Sequence, residues 1–275
     1  MGLFAPVAPV QILHEMLIND CRGLFGDYHL LLAHHTVEKE ESFRRLWRTY
    51  ERKTGMNRVG ATIIMDNSLV ELGGAVDDQM VRTAVNAVKF EVGNRSHVVP
   101  VLPDVMGDGV ATMEVSSDGY DRWKDSEMPG DGYMLVAQGK DMQEFYNVID
   151  YFFILHKEFF RDIRWVGIPR KLAQLTGSRK TAIRYVQSVA PQVKIHLLGF
   201  CDNILDDIRC ARLLGVAGID SAVPVRHQDV LLPTSEVGPR DPNWFEEGVL
   251  TDRGATNVRN FRRWVSSKEY AKYHH

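Results

Sequence analysis

The chain has 275 residues, with 33 Lys and Arg against 36 Asp and Glu and a formal net charge of −3. That balance excludes a globally basic nucleic-acid-coating protein, while leaving room for a local basic groove. Gly and Pro number 22 and 11, an ordinary share that excludes collagen-like or Pro/Gly-rich disorder, and this length buries a large core without staples. Cys21, Cys201 and Cys210 form no C-x-x-C pair. No disulfide framework and no thiolate zinc site is therefore expected, and no metal or cofactor. The opening MGLFAPVAPVQILHEM lacks a basic n-region and a continuous apolar core, so it does not read as a signal peptide, and Pro6 breaks a myristoylation pattern. Apolar runs fall short of a membrane span. The expectation is a soluble cytoplasmic protein with no membrane partner.

In chain order, short apolar runs alternate with helical periodicities. YHLLLAH (28–34) precedes an amphipathic stretch at 37–54, with Phe43, Leu46, Trp47 and Tyr50 on one stripe. ATIIMDN (61–67) precedes a second helix pattern at 76–92. HVVPVLPD (97–104) and YMLVAQG (133–139) follow, then a long apolar helix pattern at 140–160. WVGIPR (165–170), a helix at 181–190, KIHLLGF (194–200), a helix at 203–215 closing on Gly215, and GIDSAVP (218–224) complete the alternation. The runs recur about every 30 residues and are near-continuously apolar, as in parallel strands covered on both faces. Seven such units predict an α/β fold, a (β/α)8 barrel in one domain over 1–275. The eighth strand lies after residue 224 or is supplied by the N-terminal segment. Residues 229–275, richer in Pro, Gly and charge, read as a C-terminal extension ending in an Arg-rich helix at 257–273. There is no G-x-G-x-x-G and no Walker loop.

Strand C-termini of a parallel barrel share one mouth. Here they supply Asp66, Asp104, Gln138, Gly167, Arg170, Gly199 and Asp220. Each Asp alone can be a loop cap; three in one mouth point to a site. Carboxylates so placed can work on a glycosyl bond, hold Mg²⁺, or, with an amide, read a guanine-like edge.

At these residues the chain resembles the tRNA-guanine transglycosylase superfamily. DSAVPVR (220–226) is similar to its nucleophile segment, MDNSLVELGG (65–74) to its acid/base loop, and LPD (102–104), VAQG (136–139) and VGIPR (166–170) to its base-reading segments. The resemblance implies Asp220 as nucleophile and Asp66 as acid/base. It implies Asp104, Gln138, the Gly167 backbone, Leu198 and Val70 as the base pocket. The family's zinc cysteines are missing and the C-terminal region is short, which resembles the phage and bacterial DNA-guanine transglycosylases. The implied function is exchange of guanine in DNA for a 7-deazaguanine such as preQ0 through a sugar–aspartate ester. RNA as the polymer, or a non-catalytic partner subunit, are the alternatives. A basic rim of Arg170, Arg226, Arg259, Arg262 and Arg263 is then expected to grip phosphates. Among other candidates, His34 and His35 can ligate a metal or form a surface pair. His196 reads as a core residue. His227 can touch a phosphate, and Glu71 can orient a loop or meet substrate. Asp202, Asp206 and Asp207 suit a helix start.

Overall fold

The computed structural model describes residues 3–54, 60–74, 76–93, 96–176, 179–200, 204–229, 231–232 and 248–266. Parallel strands pair in two sheets. One has the order β1 (Leu3–Pro6), β8 (Gly218–Ser221), β7 (Lys194–Leu198), β6 (Ile163–Pro169), β5 (Tyr133–Val136); the other is β2 (Tyr28–Leu32), β3 (Thr62–Asp66), β4 (His97–Pro100). One seam is bridged between Val101 and Met134, with Leu102 N–H donating to the Met134 carbonyl at 2.9 Å. At the other, β1 and β2 pack together without a ladder. The eight strands form the predicted (β/α)8 barrel, and the N-terminal segment supplies the eighth, pairing with β8 at Leu3–Gly218 and Ala5–Asp220.

Strand side chains alternate between two apolar layers. Ala5, Tyr28, Leu30, Leu32, Ile64, Val99, Met134, Val136 and Trp165 fill the barrel interior. Their neighbours Phe4, Leu31, Ile63, Met65, Val98, Leu135 and Val166 face outward under the helices. Burial of both faces explains why the strand sequences are continuous apolar runs.

Helices α1 (Val10–Asp20), α2 (Ala33–Glu38), α3 (Glu40–Thr54), α4 (Leu69–Leu72), α5 (Asp78–Val92), α6 (Gly109–Asp125), α7 (Met142–Asp150), α8 (Arg170–Thr176), α9 (Lys180–Val189), α10 (Ile204–Leu213), α11 (Val223–Arg226) and α12 (Asp252–Ser266) connect and surround the strands. The pattern at 140–160 is not one helix: α7 passes into a π turn at Tyr151–Leu155 and a 3₁₀ turn at Lys157–Arg161. Helix α6 carries no apolar stripe to announce it. It buries Gly109, Thr112, Ser116 and Gly119, small enough for close approach, before Tyr120 and Trp123; a Cβ on Gly119 would lie 2.7 Å from Pro103. Among the described residues, no helix is long and apolar enough to cross a membrane.

The C-terminal helix runs back along the barrel. Thr251, before its start, is held near the mouth by Gln228, its N–H bonding at 2.6 Å. Further along, Arg262 donates to the carbonyls of Leu24 and Phe25 at 3.0 and 2.6 Å, and Arg259 to Asp20 at 3.3 Å. Those partners precede β2, so they lie at the end of the barrel opposite the mouth. Arg259 and Arg262 therefore fasten a helix there, which corrects their expected place on a phosphate-gripping rim. Arg263 is exposed on the same helix, and positions 267–273 lie outside the described residues.

Gly218 is where two strands leave room for a large ring. A Cβ there would lie 2.3 Å from Tyr28 Cε1 and 2.6 Å from its hydroxyl. Tyr28 is buried against Trp165 and His196 and has nowhere to retreat. Gly218→Ala should destabilise the fold by about 1–3 kcal/mol, the usual cost of overpacking, read as a lower urea midpoint. An unchanged midpoint would show that Tyr28 is not fixed by this contact.

Candidate functional site

A cavity of about 200 Å³ opens at the C-terminal ends of the strands. Asp66, Asn67, Asp104, Gln138, Leu198, Asp220, Arg170 and Arg226 line it, with Val7, Leu30, Leu32, Leu69, Val136 and Phe200 as apolar wall. The mouth thus collects the three carboxylates that chain order alone placed at strand ends.

Asp104 follows β4 and is 5% exposed. Its Oδ1 accepts from Asn67 Nδ2 at 2.6 Å and its Oδ2 from Gln138 Nε2 at 2.7 Å. Burial pushes its pKa up to about 6, against the opposing pull of those two amides. Asn67 is locked in turn, donating to the Leu102 carbonyl at 3.0 Å and accepting from Leu69 N–H at 3.1 Å. Gln138 accepts from Gly107 N–H at 3.1 Å. Asp66 accepts from Ser68 N–H at 2.7 Å, closing a turn in which Ser68 takes a left-handed φ of 61°, a conformation a non-glycine residue adopts under constraint.

Asp220 stands in β8. Its Oδ1 accepts from His196 Nε2 at 2.8 Å and from Gly199 N–H at 3.0 Å. The Nδ1 of His196 meets the Tyr28 hydroxyl at 2.6 Å. Gly199 takes φ +63° at the end of β7, the left-handed region that glycine enters freely, and so turns its N–H onto the carboxylate. Arg179, fully buried, holds this corner. It donates to Ile168, Leu198 and Gly199 carbonyls at 3.1, 3.1 and 2.7 Å and grips Asp207 with Nε at 2.9 Å and a terminal nitrogen at 2.5 Å.

Leu198 lines the cavity, whereas Gly167 does not. Gly167 sits within β6, its carbonyl accepting from Ala137 N–H at 3.1 Å, and a Cβ there would meet Leu198 and Val136 at 3.0 and 3.1 Å. Its bareness serves interior packing. Val70 is in α4, its side chain outside the described residues, as is that of Glu71; Cys201 and Asp202 also lie outside them. Arg170 is exposed at the rim, and Arg226 is half-buried, donating to His227 Nε2 at 3.0 Å. His34 is buried beside His35, which is 3.7 Å from Glu38 and lines a neighbouring cavity. No cluster of three metal-ligating side chains occurs among the described residues. His196 is buried, as its reading as a core residue expects, but its contact with Asp220, and the contacts of Asn67, Tyr28 and Arg179, were not foreseen in the sequence. The readable signal was polarity at strand-interior positions, above all His196 between Ile195 and Leu197.

No protein-family model matches the chain, and no curated protein does. Solved structures do. A mutant methylaspartate ammonia lyase from Clostridium tetanomorphum is similar at 13% identity and TM-score 0.52 over 96% of this chain and 58% of that one. An N-acetylneuraminate lyase from Fusobacterium nucleatum is similar at 13% identity and TM-score 0.47, covering 81% and 70%. This chain thus spans well under two thirds of the ammonia lyase. The similarity to the ammonia lyase, at TM-score 0.52, establishes the barrel. That structure carries a lyase name where the sequence resemblance called for a guanine transglycosylase, and that identification, with its exchange of guanine for a deazaguanine in DNA or RNA, is overturned. Asp104 and Gln138, the expected base readers, hydrogen-bond to each other and to Asn67 and Gly107.

Two outcomes test this geometry. Arg179→Met should cost about 3–5 kcal/mol, because Asp207 is left buried and unpaired, and Arg179→Met with Asp207→Leu should recover most of it in urea unfolding. Asp104 should titrate near pH 6 by carboxyl ¹³C NMR. Its folded pKa is raised, so the stability it contributes is fully present below 3.8, its ordinary value, and is lost as pH rises through about 6. The loss is on the order of 3 kcal/mol and should be absent in Asp104→Asn.

Proposed function

We propose that this chain is an acid–base enzyme of the lyase class, acting on a small amino-acid-like molecule. One observation carries the reading: a carboxyl with a pKa of about 6, Asp104, and a carboxylate held by two N–H donors, Asp220, line one metabolite-sized cavity with two arginines. Groups whose environments hold them differently are suited to divide acid and base roles. Among the described residues lining the cavity, the basic side chains are Arg170 and Arg226. Carboxylates attract an ammonium group; guanidiniums attract a carboxylate. A zwitterion therefore suits the polarity of the mouth, its amine toward the aspartates and its acid toward Arg170 or Arg226.

In an elimination, Asp220 would take the proton from the carbon beside the leaving amine. The bound ammonium first gives up one proton to solvent; a carbon–carbon double bond then forms as the carbon–nitrogen bond breaks, and protonated Asp104 gives the departing amine the proton with which it leaves as ammonia. Both Asp104 oxygens accept one amide hydrogen bond each, which leaves lone-pair capacity toward the cavity. The methylaspartate ammonia lyase carries a name of this reaction class.

The test is ammonium release from a panel of 3-substituted aspartates and other β-branched amino acids. Turnover should fall by roughly 10²–10⁴-fold in Asp220→Asn and in Asp104→Asn. In the wild type it should decline as pH rises through about 6, where Asp104 loses its proton. Turnover that survives both substitutions, or a panel on which the folded protein is inert, would overturn the assignment.

A further inference from the structure

We propose that His196, fixed by Tyr28, is a positioning residue that aims Asp220 and leaves Oδ2 as its working oxygen. The proposal deepens the reading above and rests on Asp220 meeting the ligand.

Tyr28, His196 and Asp220 come from β2, β7 and β8 and are 1%, 0% and 7% exposed. Two short contacts join them: Tyr28 hydroxyl to Nδ1 at 2.6 Å and Nε2 to Asp220 Oδ1 at 2.8 Å. Only one distribution of hydrogens satisfies both. Asp220 as a carboxylate can only accept, so Nε2 carries its hydrogen. Nδ1 then accepts from the Tyr28 hydroxyl, and that hydroxyl and both ring nitrogens are used. The opposite tautomer would set the Nε2 lone pair against a carboxylate oxygen. An imidazolium would force Tyr28 to accept, and its own hydrogen would have to find a partner among the packed Trp165 ring and the Gly218 backbone, which is costly in a buried place.

The chain does not conduct protons to solvent. Its far end is a phenol buried at the barrel centre, with His196 its hydrogen-bond partner among the described residues. What it supplies is direction. His196 and Gly199 N–H converge on the same oxygen, Oδ1, and the carboxylate cannot rotate without losing both. No described residue donates to Oδ2, and Asp220 lines the cavity. A histidine whose tautomer is set by its other nitrogen's partner is a known way to orient a neighbouring group.

The experiment is long-range ¹H–¹⁵N NMR on histidine-labelled protein, with the Gly199 amide followed in the same samples. In the wild type, His196 should show a protonated Nε2 and a bare Nδ1. Tyr28→Phe removes the donor to Nδ1 and should shift the Nδ1 resonance downfield, while Nε2, facing Asp220, keeps its hydrogen. His196→Gln keeps an N–H donor and should preserve the low-field Gly199 amide, whereas His196→Leu should lose it. A protonated Nδ1 in the wild type, an Nδ1 resonance unmoved by Tyr28→Phe, or a Gly199 amide indifferent to His196→Leu would each overturn the proposal. If the leucine variant fails to fold, the wild-type and Tyr28→Phe spectra decide. None of these readouts depends on turnover, so the assignment of lyase activity can fail without them.

Discussion

The guanidinium of Arg179 is the interaction on which the mouth depends. A guanidinium has five N–H donors in a fixed fork, and here five bonds run to the Ile168, Leu198 and Gly199 carbonyls and to both oxygens of Asp207. Two strand ends and the start of helix α10 are thereby tied to one rigid plane. The tie fixes Gly199, and Gly199 presents the N–H that Asp220 accepts. A buried ion pair contributes little net stability, because desolvation offsets its attraction. Its effect here is geometric.

From that corner the site is built by unequal treatment of like residues. Asp104 is drawn inward beneath Asn67 and Gln138, where burial outweighs two amide hydrogen bonds and favours the protonated acid. Asp220 instead receives an imidazole N–H and a backbone N–H on one oxygen. Asp66 caps a strained turn around Ser68. Three aspartates at three strand ends therefore have three jobs. None of those jobs follows from residue type, since each depends on which N–H donors other strands bring near.

The resemblance to guanine transglycosylases had its origin in the barrel itself. Any parallel barrel brings strand-terminal residues to one rim, and the ordered series Asp66, Asp104, Gln138 and Asp220, spaced by 38, 34 and 82 residues, follows steps of one, one and three βα units. The segments compared were each a handful of residues, and their departures were informative. Asn67, next to Asp66 in the compared loop, locks Asp104. Gly167 leaves space for Leu198 and Val136 in the interior.

By itself, the sequence determined the parallel barrel, since continuous apolar runs between amphipathic helices can be satisfied in few other ways, and it placed Asp66, Asp104, Gln138, Arg170 and Asp220 at the mouth. Local periodicity is enough for that much. It could not show helix α6, whose buried face is Gly, Thr and Ser, small for the sake of a close approach to Pro103. Nor could it show that Arg262 turns to the Leu24 and Phe25 carbonyls, a contact across 238 and 237 residues of chain. The bond between Tyr28 and His196 spans 168 residues, and that between Asp220 and His196 joins neighbouring strands in a register fixed by the whole sheet. Hydrogen bonds between distant strands depend on closure of the barrel. Their partners were therefore decided by the tertiary structure, through the register and the two seams that bring β2 and β7 to face one another across the interior.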